Sequence, residues 1–414
     1  MSNPSEKDAD QAIRSAVKAR AKEAAAFLAK LVQTPSDNPP GDCTRHADVT
    51  AGLLEKLGLT VERHPVPEAL CKAHGMIAAT NLVVRKKFGA GPVIALNAHG
   101  DVVPPGEGWT EDPYGARVKD GTMYGRGVAV SKSDIATFTF ALLALIDAKS
   151  SARKGTVELH ITYDEETGGE IGPKLLLDKG ISKPDLAIGA GFSYAVVTAH
   201  NGCLHLEVEV SGRSAHAAKP WTGIDALEAA NHIITALYAY RRSLAAQVSR
   251  YAGIGSPQLT IGLIRGGINT NVVPDRIVFR MDRRMIPDER PAQVEKALRD
   301  VIEGAARAYP EAKVAVRQVL LAEPLKPNKA GAKLVSALLA RASAVTGDDV
   351  QAIGSPLYTD ARHYAAAGIP IVLYGAGPRT IEEANAHRAD ERLRLEDLHK
   401  ATEVIALALS DLLR

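Results

Sequence analysis

A change of pattern near residue 200 constrains this chain more than any other feature. Before it, short apolar or β-branched runs alternate with helical periodicities. Asn81–Arg85, Pro92–Leu96 and Thr156–Thr162 read as strands. Ala12–Val32, Ala47–Leu57 and Asp134–Ala148, with apolar residues three and four apart, read as helices. Such alternation predicts an α/β core with a largely parallel sheet. Beyond residue 200 come Leu204–Val210, Asp225–Leu244, Gln258–Ile264, Arg276–Arg283, Arg290–Ala308 and Lys313–Leu320, in the order β-α-β-β-α-β. That order matches a small ferredoxin-like unit. The α/β character then returns with a helix over Gly331–Val345, a strand over Pro370–Tyr374 and a closing helix over Leu395–Leu413. The pattern predicts an α/β domain in two segments, 1–198 and 315–414, interrupted by a small α+β domain over 199–314. Residues up to about Asp10 read as a frayed polar tail.

At 414 residues the chain needs more than one hydrophobic core. Lys and Arg total 50 and Asp and Glu 48, a net charge of +2, which offers no broad basic footprint for nucleic acid. The longest apolar run, Phe140–Ile146, is far short of the roughly 18 residues of a membrane span. The first ten residues are polar and contain no apolar signal-peptide segment. Cys43, Cys71 and Cys203 are too few and scattered for a disulfide framework and read as buried thiols in a reducing compartment. The expectation is a cytoplasmic protein acting on a small molecule, with neither nucleic acid nor membrane as partner.

Several segments could carry chemistry. His99-Gly100-Asp101 ends an apolar strand, where ligands of open α/β sheets gather, and a His with an Asp two residues on suits a metal ligand and its orienting carboxylate. Glu165 and Glu166 follow a β-branched strand; adjacent side chains diverge there, so one can bind a metal while the other holds a water. Ser214–Pro220 contains His216, Gly266–Pro274 is a Gly/Asn loop between strands, and Tyr358–Arg362 and Ala386–Glu391 flank the strand over 370–374. Each alone is a weak signal.

Their order is specific. Together they resemble the M20 family of metallo-aminoacylases and peptidases, which includes acetylornithine deacetylases, succinyl-diaminopimelate desuccinylases and related carboxypeptidases. The resemblance runs from Asn38-Pro39-Pro40-Gly41-Asp42 to the last helix. It implies a zinc-peptidase-like catalytic domain with an inserted ferredoxin-like lid that dimerises, through the helix Asp225–Leu244 and the neighbouring strand near Leu204. By position, His99 matches a ligand of the first metal and Asp101 its orienting carboxylate. Glu165 matches the general base, and Glu166 and His387 match ligands of the second metal. His216 matches the lid histidine that reaches a partner subunit's site. Asn271, Arg284, Thr359 and Arg362 fall in segments that hold the substrate's carboxylate end in relatives.

Two positions depart from the family pattern. The bridging Asp expected three residues after Gly125-Arg126-Gly127 is Val130, and the acidic ligand expected after Pro184–Ile188 aligns with Gly191. Neither supplies a donor. The expected cofactor is therefore a divalent Zn, Mn or Co ion, one at most, or none. One ion could be shared by His99, Glu166 and His387; Asp134, about one helical turn further on, could restore a ligand; or Glu165 and histidines could act without metal. The resemblance implies hydrolysis of the amide C–N bond of an N-acyl amino acid or a similar small carboxylate. The alternatives are a one-metal or metal-independent hydrolase, deaminase or lyase, and a non-catalytic binding homologue.

Overall fold

A computed structural model describes residues 4–150 and 152–414, with side chains from residue 7 onward. The chain forms two compact units. The first comprises residues 1–198, 327–353 and 359–414; the second comprises 199–326 and 354–358.

The first unit is built on an eight-stranded mixed sheet. Its strands lie in the order Val61–Pro65, Thr80–Lys87, Thr156–Thr162, Val93–His99, Leu186–Gly189, Ile371–Leu373, Ala195–His200 and Gln351–Ser355. The third to sixth strands in this order run parallel. Thr80–Lys87 and Ala195–His200 pair antiparallel outside them, so the sheet is parallel only at its centre. Register decides what those central strands can do. His99 lies opposite Thr162, Asn97 opposite Gly189, and Gly189 opposite Leu373. Their carboxyl ends, with the segments that follow each, therefore meet at one edge.

The helix Lys132–Asp147 is apolar around almost its whole circumference, the pattern of a helix enclosed on all sides. It packs on the strands Val93–His99 and Thr156–Thr162, and against the helices Pro4–Val32 and Leu395–Leu412. The first of those helices starts at Pro4, so the expected frayed tail is helical across most of its length; Met1–Asn3 lie outside the described residues. Its Lys, Glu and Ala content favours helix despite the charge.

The second unit is a four-stranded antiparallel sheet in the order Gln258–Gly266, Arg276–Met285, Gly202–Ser211 and Lys313–Ala322. Leu204, Leu206, Val208 and Val210 point to one face and bury against the helices Ala226–Leu244 and Pro291–Ala306. The expected boundary at 314 falls inside the strand Lys313–Ala322, which pairs with Gly202–Ser211 along its length. The strand near Leu204 is interior, hydrogen-bonded on both sides. The edge strands are Gln258–Gly266, which exposes Leu263 and Ile264, and Lys313–Ala322, which exposes Val319.

No helix among the described residues is long and apolar enough to cross a membrane. The helix Ala226–Leu244 is capped by Asp225, whose Oδ1 accepts the amides of Leu227 and Glu228 at 2.8 and 3.1 Å. Replacing Asp225 by Ala is expected to lower unfolding free energy by about 1 kcal/mol, read from the denaturant midpoint. An unchanged midpoint would show that the cap is not needed.

Candidate metal and catalytic centre

Asp101 organises the end of the central strands. Its carboxylate is buried. Oδ2 accepts Asn38 Nδ2 at 3.0 Å and the Glu166 amide at 3.2 Å, while Oδ1 accepts the Glu165 amide at 3.4 Å. His99 Nδ1 lies 3.3 Å from Oδ1 and 3.0 Å from the Asp101 carbonyl. Both acceptors face Nδ1, which assigns the proton there and leaves Nε2 as the ligand atom. Gly100 permits this turn, because a Cβ there would stand 2.5 Å from the Tyr163 ring.

Glu165–Thr167 form a single 3-10 turn, ended by Gly168 at φ 114°. The turn presents Glu165 and Glu166 to His99, and one donor atom from each of these three residues lies within 4.8 Å of the others. His387, at φ 60°, places Nε2 3.5 Å from Glu166 Oε1. The structure thus brings together His99, Asp101, Glu165, Glu166 and His387.

The electrostatics are those of an acidic centre short of positive charge. Burial, reinforced by Glu166, Asp101 and Asp164, pushes the Glu165 carboxyl up to about 8 against the pull of His99. Burial opposes charging of His99, but the Asp101 hydrogen bond and the charges of Glu165, Asp101 and Glu166 outweigh it and hold the imidazole well above its ordinary value. The hydrogen bond to Glu166 raises His387. Burial, with the charges of Asp360 and Asp101, pushes the Asp164 carboxyl up strongly, and burial, with the charges of Glu165 and Asp101, does the same to Asp360. Asp360 Oδ2 is buried with no hydrogen-bond partner. A divalent ion would reverse these shifts by supplying the missing charge.

The two positions that depart from the family pattern carry no donor side chain. Val130 packs against the apolar core. The loop that carries it is nonetheless held firmly. Glu391 Oε1 accepts the Ala129 and Val130 amides at 2.9 and 3.2 Å; Oε2 accepts the Gly127 amide at 3.0 Å and Arg126 Nη1 at 2.7 Å. Ser131 Oγ joins the same loop to His99 N and O at 3.0 Å each. At Gly191, a Cβ would lie 2.8 Å from Tyr374 N and 2.9 Å from the Leu373 carbonyl carbon, so the backbone of the adjacent strand occupies the place of a side chain.

Asp134 is engaged by backbone amides. Its Oδ1 accepts the Ala376 amide at 2.7 Å, and the Gly191 amide also binds the carboxylate. Burial raises it to about 8. It is fixed on the backbone of two loops and is not in the group that converges on His99. One turn of helix brought the residue to the right height but aimed the carboxylate at Ala376.

Arg362 is buried and occupied within the first unit. Its Nη2 binds the Gly168 carbonyl and lies 3.4 Å from Glu170, so it braces the loop beyond Glu165 and Glu166. Thr359 Oγ1 accepts the Ala361 amide at 3.2 Å. In the second unit, His216 is exposed and its Nδ1 accepts the Ala218 amide at 3.0 Å, which makes Nε2 the donor of a neutral ring. Asn271 holds the same loop through its carbonyl and the Ala217 amide, 2.9 Å apart. Arg284 donates from Nε to Asp282 and lies over the Tyr358 ring. Asn38, Asp360 and Glu391 are site-building residues that sequence reasoning passed over, although each lies inside a segment it had singled out.

A family model described as peptidase family M20/M25/M40 matches residues 95–411. The chain belongs to the M20 peptidase family. Acetylornithine deacetylase of Erwinia tasmaniensis is 30% identical over 290 residues, covering 68% of this chain and 72% of that protein. Succinyl-diaminopimelate desuccinylase of Rhizorhabdus wittichii is 30% identical over 388 residues, covering 91% and 94%. The crystal structure of an M20 family metallo-carboxypeptidase from Sulfolobus solfataricus superposes with a TM-score of 0.77 at 18% identity, covering 94% of this chain and 98% of that one. The M20 fold, a mixed-sheet catalytic domain with a lid, is thus that of this chain.

Two outcomes follow for the M20 centre. Ion binding to the metal-free protein at pH 7 is expected to release protons, because raised Glu165 and His99 must give theirs up. Calorimetry in buffers of different ionisation enthalpy measures this, and identical heats would contradict it. Glu391→Ala leaves the buried Arg126 unpaired and is expected to destabilise by about 3–5 kcal/mol. A loss below 1 kcal/mol in chemical denaturation would contradict the bracing role.

Proposed function

We propose that this M20 protein is an amidohydrolase that cleaves the C–N bond of an N-acyl amino acid or a similar small, carboxylate-bearing substrate at an atypical one-ion centre. The convergence of His99, Glu165, Glu166 and His387 at the ends of the parallel strands carries this reading. His99, Glu166 and His387 form a His/Glu/His set of the kind that holds one catalytic divalent cation. When bound, that ion supplies Lewis acidity to the scissile carbonyl.

The chain's own residues do the rest. Asp101 fixes the His99 ring and the Glu165–Glu166 turn. Glu165 takes a proton from the attacking water and returns it to the departing amine. A raised carboxyl suits that return at neutral pH. His216, with Nε2 as donor, is assigned to the oxyanion, and Arg284 and Asn271 to the substrate's carboxylate end. The assignment of His216 entails a homodimer in which each lid serves its partner's site. The open strand Gln258–Gly266, with Leu263 and Ile264 exposed, supports such pairing.

The absence of a donor at Val130 and Gly191 favours a second reading, in which the same scaffold performs metal-independent chemistry. Assays separate the two. N-acetyl and N-succinyl amino acids are offered to the protein with Zn²⁺, Mn²⁺ or Co²⁺ and after chelation. Glu165→Gln is expected to lower kcat roughly 10²–10⁴-fold with the ion still bound. Turnover that survives chelation selects the second reading. Turnover indifferent to Glu165→Gln, or substrate binding without turnover in every condition, overturns the first.

A further inference from the structure

A second set of metal-type donors lies in the other unit. On the antiparallel strands Gly202–Ser211 and Arg276–Met285, His205 stands opposite Asp282 and Cys203 opposite Arg284. Alternate residues share a face, and Leu204 and Leu206 occupy the face buried under the helices. Cys203, His205, Asp282 and Arg284 therefore share the other face. His205 Nε2 lies 3.1 Å from Asp282 Oδ2, and Cys203 Sγ lies 3.6 Å from the same oxygen. All three donor atoms fall within 4.8 Å of one another.

The Cys203–Asp282 separation matches that around a tetrahedral ion, and the His205–Asp282 separation is a few tenths of an ångström shorter. Zinc bonds of about 2.3 Å to sulfur, 2.0–2.1 Å to nitrogen and 2.0–2.2 Å to oxygen place the donors roughly 3.4–3.6 Å apart. The rest of the face follows a different rule. Glu207 pairs with Arg280 and Arg317, and Glu209 pairs with Arg276, an ordinary cross-strand ladder. At Cys203 and His205 that ladder gives way to a thiol and an imidazole, with a carboxylate between them.

We infer that Cys203, His205 and Asp282 form a binding site for one borderline divalent cation of the zinc type, made of residues other than the catalytic donors; the inference does not rest on the function proposed above, although Arg284 beside Asp282 is the residue assigned there to the substrate. Sulfur and imidazole donors select such an ion over magnesium or calcium. Asp282 has the capacity for both roles: Oδ2 faces the cluster, while Arg284 Nε, 3.0 Å from Oδ1, holds the other oxygen as an outer partner. Binding displaces the thiol proton to solvent. Thiolate and carboxylate then balance the two positive charges, and the neutral imidazole completes three protein ligands. Cys203 is buried, whereas His205 and Asp282 are about one-third exposed, so the fourth position opens to water.

Cobalt(II) reads this site without any activity assay. Titration of the metal-free, full-length protein is expected to give a near-ultraviolet thiolate-to-cobalt band that saturates once both the catalytic site and this one are filled, at no more than two ions per chain. The band is expected to persist in Glu166→Ala, because no thiol belongs to the catalytic cluster. It is expected to vanish in Cys203→Ser and to need at least about tenfold more cobalt in His205→Gln. His205→Gln, at a part-exposed position, serves if the buried Cys203 variant does not fold. Absence of the band in the wild type, its survival in Cys203→Ser, or its indifference to His205→Gln would each overturn the site. Failure of the catalytic reading would leave all of these bands unchanged.

Discussion

The catalytic unit depends on one buried carboxylate. Asp101 accepts the amides of both Glu165 and Glu166 and faces Nδ1 of His99. It thereby joins the ends of two neighbouring parallel strands into a single rigid corner. Its negative charge is away from water, so its hydrogen bonds are stronger than they would be at a surface, and losing one would be correspondingly costly. The register of His99 against Thr162 brings these segments side by side; Asp101 converts that proximity into a fixed geometry.

A second carboxylate repeats the device across the site. Glu391 binds Arg126 and three amides of the loop that ends at Val130. The contrast with the absent ligand is informative. The scaffold that would present a bridging Asp is intact and well supported, yet a valine occupies the position. At Gly191, the close approach of the strand ending at Leu373 leaves no room for an acidic side chain at all. Asp134 belongs to the same packing through the Ala376 and Gly191 amides.

Much of this was legible in the sequence. The strand Thr156–Thr162 matches its predicted bounds, because β-branched periodicity and the polar Tyr163–Glu166 segment define both ends. The β-α-β-β-α-β order of the second unit follows from strong periodicities, and Asp225 marks its helix start. Less regular pieces escaped. Ala195–His200 and Gln351–Ser355 are short and lie outside the parallel centre, where pattern is weak. Direction escaped as well as position. Helical rise placed Asp134 near the site but could not show which amides its carboxylate would meet. Residue type marked Arg362 as an anion binder, but it could not show that Nη2 meets the Gly168 carbonyl and Glu170. Asp360 and Glu391 were invisible as site residues because only tertiary packing reveals which acids are buried.

Anomalous diffraction from crystals grown with zinc tests the proposed single catalytic ion of the first unit most directly. The expected map shows one anomalous peak in the catalytic unit, bonded to His99, Glu166 and His387, with no peak beside Val130. Two peaks bridged at that position, or a ligand set that excludes Glu166 and His387, would contradict the account.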